Sequence, residues 1–341
     1  MSVNRRSEYT YRPAWWVRGG HAQTLWGKFF RPRPRYPTRV ERWTTPDGDF
    51  IELHRLDGMS LNAPRLFFLH GLEGTARSHY VVGFFGEAAR RGWAADLLIF
   101  RGCGAEPNLA PRFYHSGDTG DLAFALDRVL RESPSSSPIL LAGVSLGGNV
   151  LLKYLGERGK DLSRRVTAAA AISVPFDLER GARFLSQGFS KIYDRHFLRT
   201  LRQKALAKLA RYPDLFDRAG LTKARSIYEF DDVVTAPVHG FADAHDYYFN
   251  SSSLRWLNRV ARPTLLLSAI DDPFLPPQVL EEVEEVARRN DCLHLEFPAH
   301  GGHVGFIAGR VPWRPFYYAE WRACEFFTRL LERNVSVPAG R

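Results

Sequence analysis

The chain has 341 residues, 45% of them apolar and 25% charged, and 47 Lys+Arg stand against 37 Asp+Glu for a formal net charge of +10. Those proportions belong to a soluble globular protein. They exclude a disordered, collagenous or coiled-coil chain, and the length is enough to bury a full core.

In chain order, residues 11–35 are rich in Trp, Phe, Arg and Pro and show no clean period. They read as part of an arm, residues 1–38, wrapped on the body. Residues 40–45 and 49–56 alternate around Pro46-Asp47-Gly48 and predict a β-hairpin. Strand-like apolar runs then alternate with helical stripes. Strands are expected at 65–69, 94–100, 139–144, 166–174, 264–270 and 293–297, and helices at 78–91, 118–132, 146–157, 278–289 and 316–332. Continuous apolar strands alternating with helices imply a mostly parallel central sheet with helices on both faces, within one domain spanning residues 1–341. The rhythm breaks over about residues 176–262, which read as an inserted helical cap. Within it, Leu198, Leu201, Ala205 and Leu209 share a face while Arg199, Arg202, Lys204, Lys208 and Arg211 lie elsewhere. This predicts a basic amphipathic helix with a solvated basic face, or a surface that meets phosphate head groups. Phe184, Phe189, Tyr193, Phe197 and Leu198 are the expected lining of an apolar pocket under the cap.

Charge and cysteine usage narrow the function. Residues 1–43 hold 10 Lys+Arg against 2 Asp+Glu and residues 178–225 hold 12 against 4, so each segment carries +8 and the remainder −6. Two basic segments on a mildly acidic body do not suit nucleic-acid binding, but they leave a local surface for anionic lipid. Cys103, Cys292 and Cys324 are odd in number and form no CxxC pair. No disulfide framework, zinc site or redox role is expected, and a reducing compartment fits. The N-terminus has no apolar core of a secretory signal, and the uncharged residues 133–152 are broken by Ser, Pro, Gly and Asn.

The chemistry concentrates at Gly143-Val144-Ser145-Leu146-Gly147, a G-x-S-x-G between an apolar strand and a helix. That context makes it a nucleophile elbow, in which glycines let strand and helix close around an exposed serine hydroxyl. A serine needs a base, and the base needs an orienting acid, in the chain order Ser, acid, His. His303, in the Gly-rich loop after the last strand, is the preferred base and His300 the rival. Asp271 and Asp272, after the preceding strand, are the candidate acids. The oxyanion hole needs two backbone N–H groups, expected from Leu146 and from Leu72 in His70-Gly-Leu-Glu-Gly74. No G-x-G-x-x-G or P-loop is present and no ligand set is complete, so no cofactor and no metal are expected.

Several of these segments, with Gly20-His-Ala-Gln-Thr-Leu25, Phe100-Arg-Gly-Cys-Gly104, Tyr114-His-Ser-Gly117 and Val174-Pro-Phe-Asp177, resemble the YheT-like branch of the α/β-hydrolases. These are bacterial proteins assigned as esterases, with eukaryotic relatives that include membrane-associated phospholipases. The resemblance implies Ser145, Asp272 and His303 as the charge-relay set. The Pro-Phe-Leu-Pro after Asp272 matches the loop common at this position in the α/β-hydrolases and selects Asp272 over Asp271. The expected function is a serine hydrolase cleaving carboxylic esters (EC 3.1.1.-), lipid or phospholipid esters included, through an acyl-enzyme. The alternatives are a non-catalytic lipid- or anion-binding module, and a thioesterase or acyltransferase. The expected partner is a small-molecule or lipid ester, with peripheral contact to anionic membrane through the basic cap and no nucleic acid. The eukaryotic anchor is unmatched in this sequence, so a cytoplasmic location, with at most peripheral membrane association, is expected.

Overall fold

The computed structural model describes residues 10–335, so the first nine residues of the expected arm lie outside the described residues. An eight-stranded sheet forms the centre. Its strands are β1 (Arg39–Thr44), β2 (Phe50–Leu56), β3 (Arg65–Leu69), β4 (Ala94–Ile99), β5 (Ile139–Val144), β6 (Val166–Ile172), β7 (Thr264–Leu267) and β8 (Leu293–Glu296). Their spatial order is β1-β2-β4-β3-β5-β6-β7-β8. The hairpin β1–β2 joins antiparallel to β4, and every pairing from β4 to β8 is parallel. Strands β4 and β5 are buried along their whole length, as parallel strands covered on both faces must be.

The helices are α1 (Gly20–Phe30), α2 (His79–Arg90), α3 (Gly120–Glu132), α4 (Leu146–Arg158), α5 (Leu178–Leu185), α6 (Lys191–Arg211), α7 (Arg218–Lys223), α8 (Ile227–Phe230), α9 (Ala236–His239), α10 (Ala244–Ser251), α11 (Gln278–Ala287) and α12 (Tyr318–Val335). Helix α12 packs on α2 and β6, while α4 packs on β5 and β6 beside α3. The four alanines Ala168–Ala171 of β6 are fully buried, and their small side chains let these helices approach the strand closely. Helices α5 to α10 all fall between β6 and β7, where the sequence breaks its alternation. No helix among the described residues is long and apolar enough to cross a membrane.

Two elements go beyond or shift the expectations. The arm, which showed no clean period, contains a helix at Gly20–Phe30. Its apolar period is blurred because its contacts are divided: Gln23 is buried against Val17 and Ile307, while His21 and Lys28 meet Tyr193 and His196 of α6. The expected helix at 316–332 begins at Tyr318, because Phe316–Tyr317 first pair with Ile307–Ala308 as a two-stranded ribbon.

A cluster of charges sits inside the sheet. Asp96 of β4 is 0% exposed, and its carboxylate accepts from Arg55 of β2 at 3.0 Å and Arg65 of β3 at 2.9 Å. Breaking a buried pair strands the partner charges, so Asp96→Ala is expected to cost about 3–5 kcal/mol in urea unfolding. A loss below about 1 kcal/mol would show that these pairs do not hold the three strands together.

Candidate active site

Ser145 occupies the turn from β5 into α4 with φ 53° and ψ −123°, a strained conformation for a residue with a Cβ. Packing enforces it. The Ser145 N–H donates to Ile172 O of the neighbouring strand at 2.8 Å. A Cβ at Gly143 would lie 2.5 Å from Gly147 O, and one at Gly147 would lie 2.4 Å from His70 O. The glycines therefore let strand, helix and the loop after β3 touch backbone to backbone.

The structure brings three of the residues singled out in the sequence into one hydrogen-bonded row. His303 Nε2 lies 2.9 Å from Ser145 Oγ. His303 Nδ1 lies 2.9 and 3.2 Å from the two oxygens of Asp272. An ionised carboxylate only accepts, so Nδ1 carries the proton and Nε2 is left to accept from the serine hydroxyl. Asp272 follows β7, and its Oδ1 also accepts the Phe274 N–H at 2.8 Å. Asp271 lies apart from this row: it accepts from the Gly301 and Gly302 N–H groups and pairs with His300, which is exposed. The rival pair thus shapes the loop that carries His303.

Leu146 and Leu72 both line the cavity at Ser145. Leu146 opens α4 directly after Ser145. Gly71 passes so close that a Cβ there would meet the Ser145 Cβ at 3.1 Å, and its own N–H is spent on Tyr80 Oη. His70 is fully buried; its Nε2 accepts the Phe100 N–H at 3.1 Å and its Nδ1–H donates to Gly71 O at 2.7 Å. Burial pushes its pKa down to about 4, so it stays a neutral brace for the loop.

The cavity measures about 370 Å³. One side is apolar, built from Leu178, Leu185, Phe197, Leu201, Ile227 and Phe230 of the inserted helices. Of the five residues expected to line it, only Phe197 does. Phe189 is exposed, Leu198 packs within the insertion, and Tyr193 packs against Phe274. The basic face of α6 also differs from expectation. Lys208 is 5% exposed and donates to Asn108 O, Asn108 Oδ1 and Ala110 O. Lys204 pairs with Glu73 at 2.7 Å, and Arg202 donates to Ala224 O. Arg199 and Arg211 remain exposed. The inward lysines dock α6 onto the loops after β3 and β4, a tertiary demand that helical periodicity does not express.

Two features went unread in the sequence. The Phe274 ring stacks on the His303 imidazole, with centroids 3.9 Å apart at 11°, and Tyr193 and Phe197 abut it from α6. Glu73, beside Leu72, sits at φ 55° with its N–H on Tyr114 Oη and its carboxylate on Lys204 and Tyr114.

A serine on a strand-to-helix elbow, with an acid after β7 and a histidine after β8 of a mostly parallel sheet, is the arrangement of the α/β-hydrolases. The chain belongs to that family: the family model described as alpha/beta hydrolase fold matches residues 64–309. Within it the chain falls in the YheT-like branch. It is 40% identical over 316 residues to Escherichia coli YheT, whose name carries an inferred esterase activity, covering 92% of this chain and 91% of that one. It is 31% identical over 334 residues to mouse phospholipase ABHD3, covering 96% of this chain and 78% of that one. Among solved structures, the Pyrococcus furiosus esterase Pf2001 shares the fold with a TM-score of 0.55 at 18% identity, covering 88% of this chain and 97% of that one.

Cys103 lies beside this site, with Lys204 Nζ 3.4 Å from its sulfur. An ammonium favours thiolate, but burial outweighs it and pushes the thiol pKa up to about 11. Iodoacetamide at pH 8 should therefore label half-buried Cys292 first and leave Cys103 and Cys324 intact until unfolding. Rapid labelling of Cys103 in the folded protein, read by peptide mass, would contradict this.

Proposed function

We propose that the protein is a serine hydrolase of carboxylic esters that works through an acyl-enzyme on Ser145. The observation that carries the reading is the row Ser145 Oγ–His303 Nε2 at 2.9 Å and His303 Nδ1–Asp272 Oδ2 at 2.9 Å, opening on a largely apolar cavity. In this reading His303 takes the Ser145 proton as Oγ attacks the ester carbonyl. The Leu146 and Leu72 N–H groups hold the oxyanion. His303 then protonates the departing alkoxide, and water repeats the cycle on the acyl-serine. Asp272 keeps the proton on Nδ1 and stabilises the imidazolium that forms, while Phe274 fixes the ring plane. The acyl chain occupies the apolar side under α5, α6 and α8. The esterase and phospholipase names among the relatives support ester chemistry at this site.

The direct test is turnover of p-nitrophenyl butyrate. Ser145→Ala should keep the fold and lose nearly all turnover, and Asp272→Asn should lose roughly 10⁴-fold in kcat by favouring the wrong tautomer. Asp271→Asn should cost far less. Native rates in Ser145→Ala would sink the mechanism, and a larger loss in Asp271→Asn than in Asp272→Asn would reassign the acid. The acyl position has its own test. Phe230→Ala enlarges the apolar wall and should raise the kcat/KM ratio of decanoate over acetate ester by about tenfold. An unchanged ratio would place the chain elsewhere.

A further inference from the structure

The loop that carries His303 is held in an unfavourable shape. Gly302, Val304 and Phe306 have φ of 58°, 57° and 44°. A β-branched and an aromatic residue in the left-handed region cost roughly 1–3 kcal/mol each and persist only where the surroundings over-determine them. The restraints come from four places. Asp271 takes the N–H groups of Gly301 and Gly302 at 2.9 and 2.8 Å. Ser173, after β6, takes that of Val304 at 2.9 Å, and Gly301 O takes that of Phe306 at 2.9 Å. Two further amides are taken by α1, from the far end of the chain: Thr24 Oγ1 accepts from His303 N–H at 2.8 Å, and Gln23 Oε1 accepts from Ile307 N–H at 2.7 Å.

Neither α1 side chain is free to do otherwise. The Thr24 hydroxyl donates to Gly20 O at 2.7 Å, which leaves its oxygen for the His303 N–H. Gln23 is 0% exposed, and its Nε2 donates to Val17 O and Ile307 O at 3.1 and 3.3 Å. The helix is seated backbone to backbone. A Cβ on Gly20 would lie 2.0 Å from Asp271 O, one on Gly302 would lie 2.2 Å from Gly20 O, and one on Gly305 would lie 2.4 Å from Gln23 O. The α1 backbone thus lies against both the Asp271 turn and the His303 loop.

We infer that α1 is a clamp on the general base, and that Thr24, with Gln23 behind it, is a positioning residue for His303. The Thr24 bond fixes the backbone nitrogen from which the imidazole springs. It thereby fixes the reach of Nε2 to Ser145, and an error of about 1 Å there costs on the order of a hundredfold in rate. This gives a role to the Gly20-His-Ala-Gln-Thr-Leu25 motif, and it rests on the reading of His303 as the base.

The test compares Thr24→Val, which keeps shape and removes the acceptor, with Thr24→Ser, which restores it. Trp26→Ala on the same helix controls for general loosening. On p-nitrophenyl butyrate, Thr24→Val should lower kcat about ten- to a hundredfold with KM within about twofold. The rate of fluorophosphonate labelling of Ser145 should fall in parallel, and Thr24→Ser should recover most of both. Trp26→Ala should lower Tm while retaining kcat. A native kcat in Thr24→Val, or an equal kcat loss in Trp26→Ala, would overturn the clamp. Should Thr24→Val not fold, amide exchange in the native protein decides: the clamp requires the His303 N–H to be strongly protected, and exchange at the rate of an open loop overturns it. A wild-type protein that neither turns over ester nor labels at Ser145 would instead defeat the reading of the site.

Discussion

Ser145 is held at φ 53° by contacts that allow no side chain at Gly143 or Gly147, and the rest of the site is built around that one strained turn. The strain is sustained because β5 is a fully buried central strand, paired with β3 on one side and β6 on the other. Moving the serine to a relaxed conformation would break its N–H bond to Ile172 O and push the start of α4 into the loop at His70. A rigid core thus supplies the fixed point from which a half-buried hydroxyl projects into a cavity.

Against that fixed point the histidine has to be brought in by a loop. The C-terminal ends of β7 and β8 lie side by side, so the Asp272 turn and the His303 loop emerge as neighbours. Adjacent aspartates divide the labour: Asp272 takes the imidazole, and Asp271 takes the loop backbone. The insertion then closes over the result in two places, through Tyr193 and Phe197 packed on Phe274, whose ring stacks on His303, and through the Lys204–Glu73 pair beside Leu72. The inserted helices therefore reach His303 through Phe274 and touch directly the loop expected to supply an oxyanion donor.

What could be read from the sequence follows from how local each signal is. The elbow was legible because strand, glycines, serine and helix occupy one contiguous stretch, and the strands β3 to β6 were legible as largely apolar runs bounded by turns. Asp272 was separated from Asp271 only by the Pro-Phe-Leu-Pro that follows it. Helix α1 was missed because its contacts are split between Val17, Ile307 and α6, which erases a single apolar stripe. Lys204 and Lys208 read as solvated cations, since no helical period reveals that Glu73 and Asn108 wait for them across the cavity. For α1 and the two lysines, the deciding partners lie a hundred or more positions away in the chain.

The proposed mechanism requires a covalent acyl-serine at Ser145. Rapid quenching of the wild-type protein in the first turnover of a p-nitrophenyl ester, followed by peptide mass analysis, should find the acyl group on the peptide carrying Ser145. The burst of nitrophenol should match the amount of enzyme. Ester turnover with no acyl group at Ser145 under conditions where deacylation is slow, or an adduct on another residue, would contradict it.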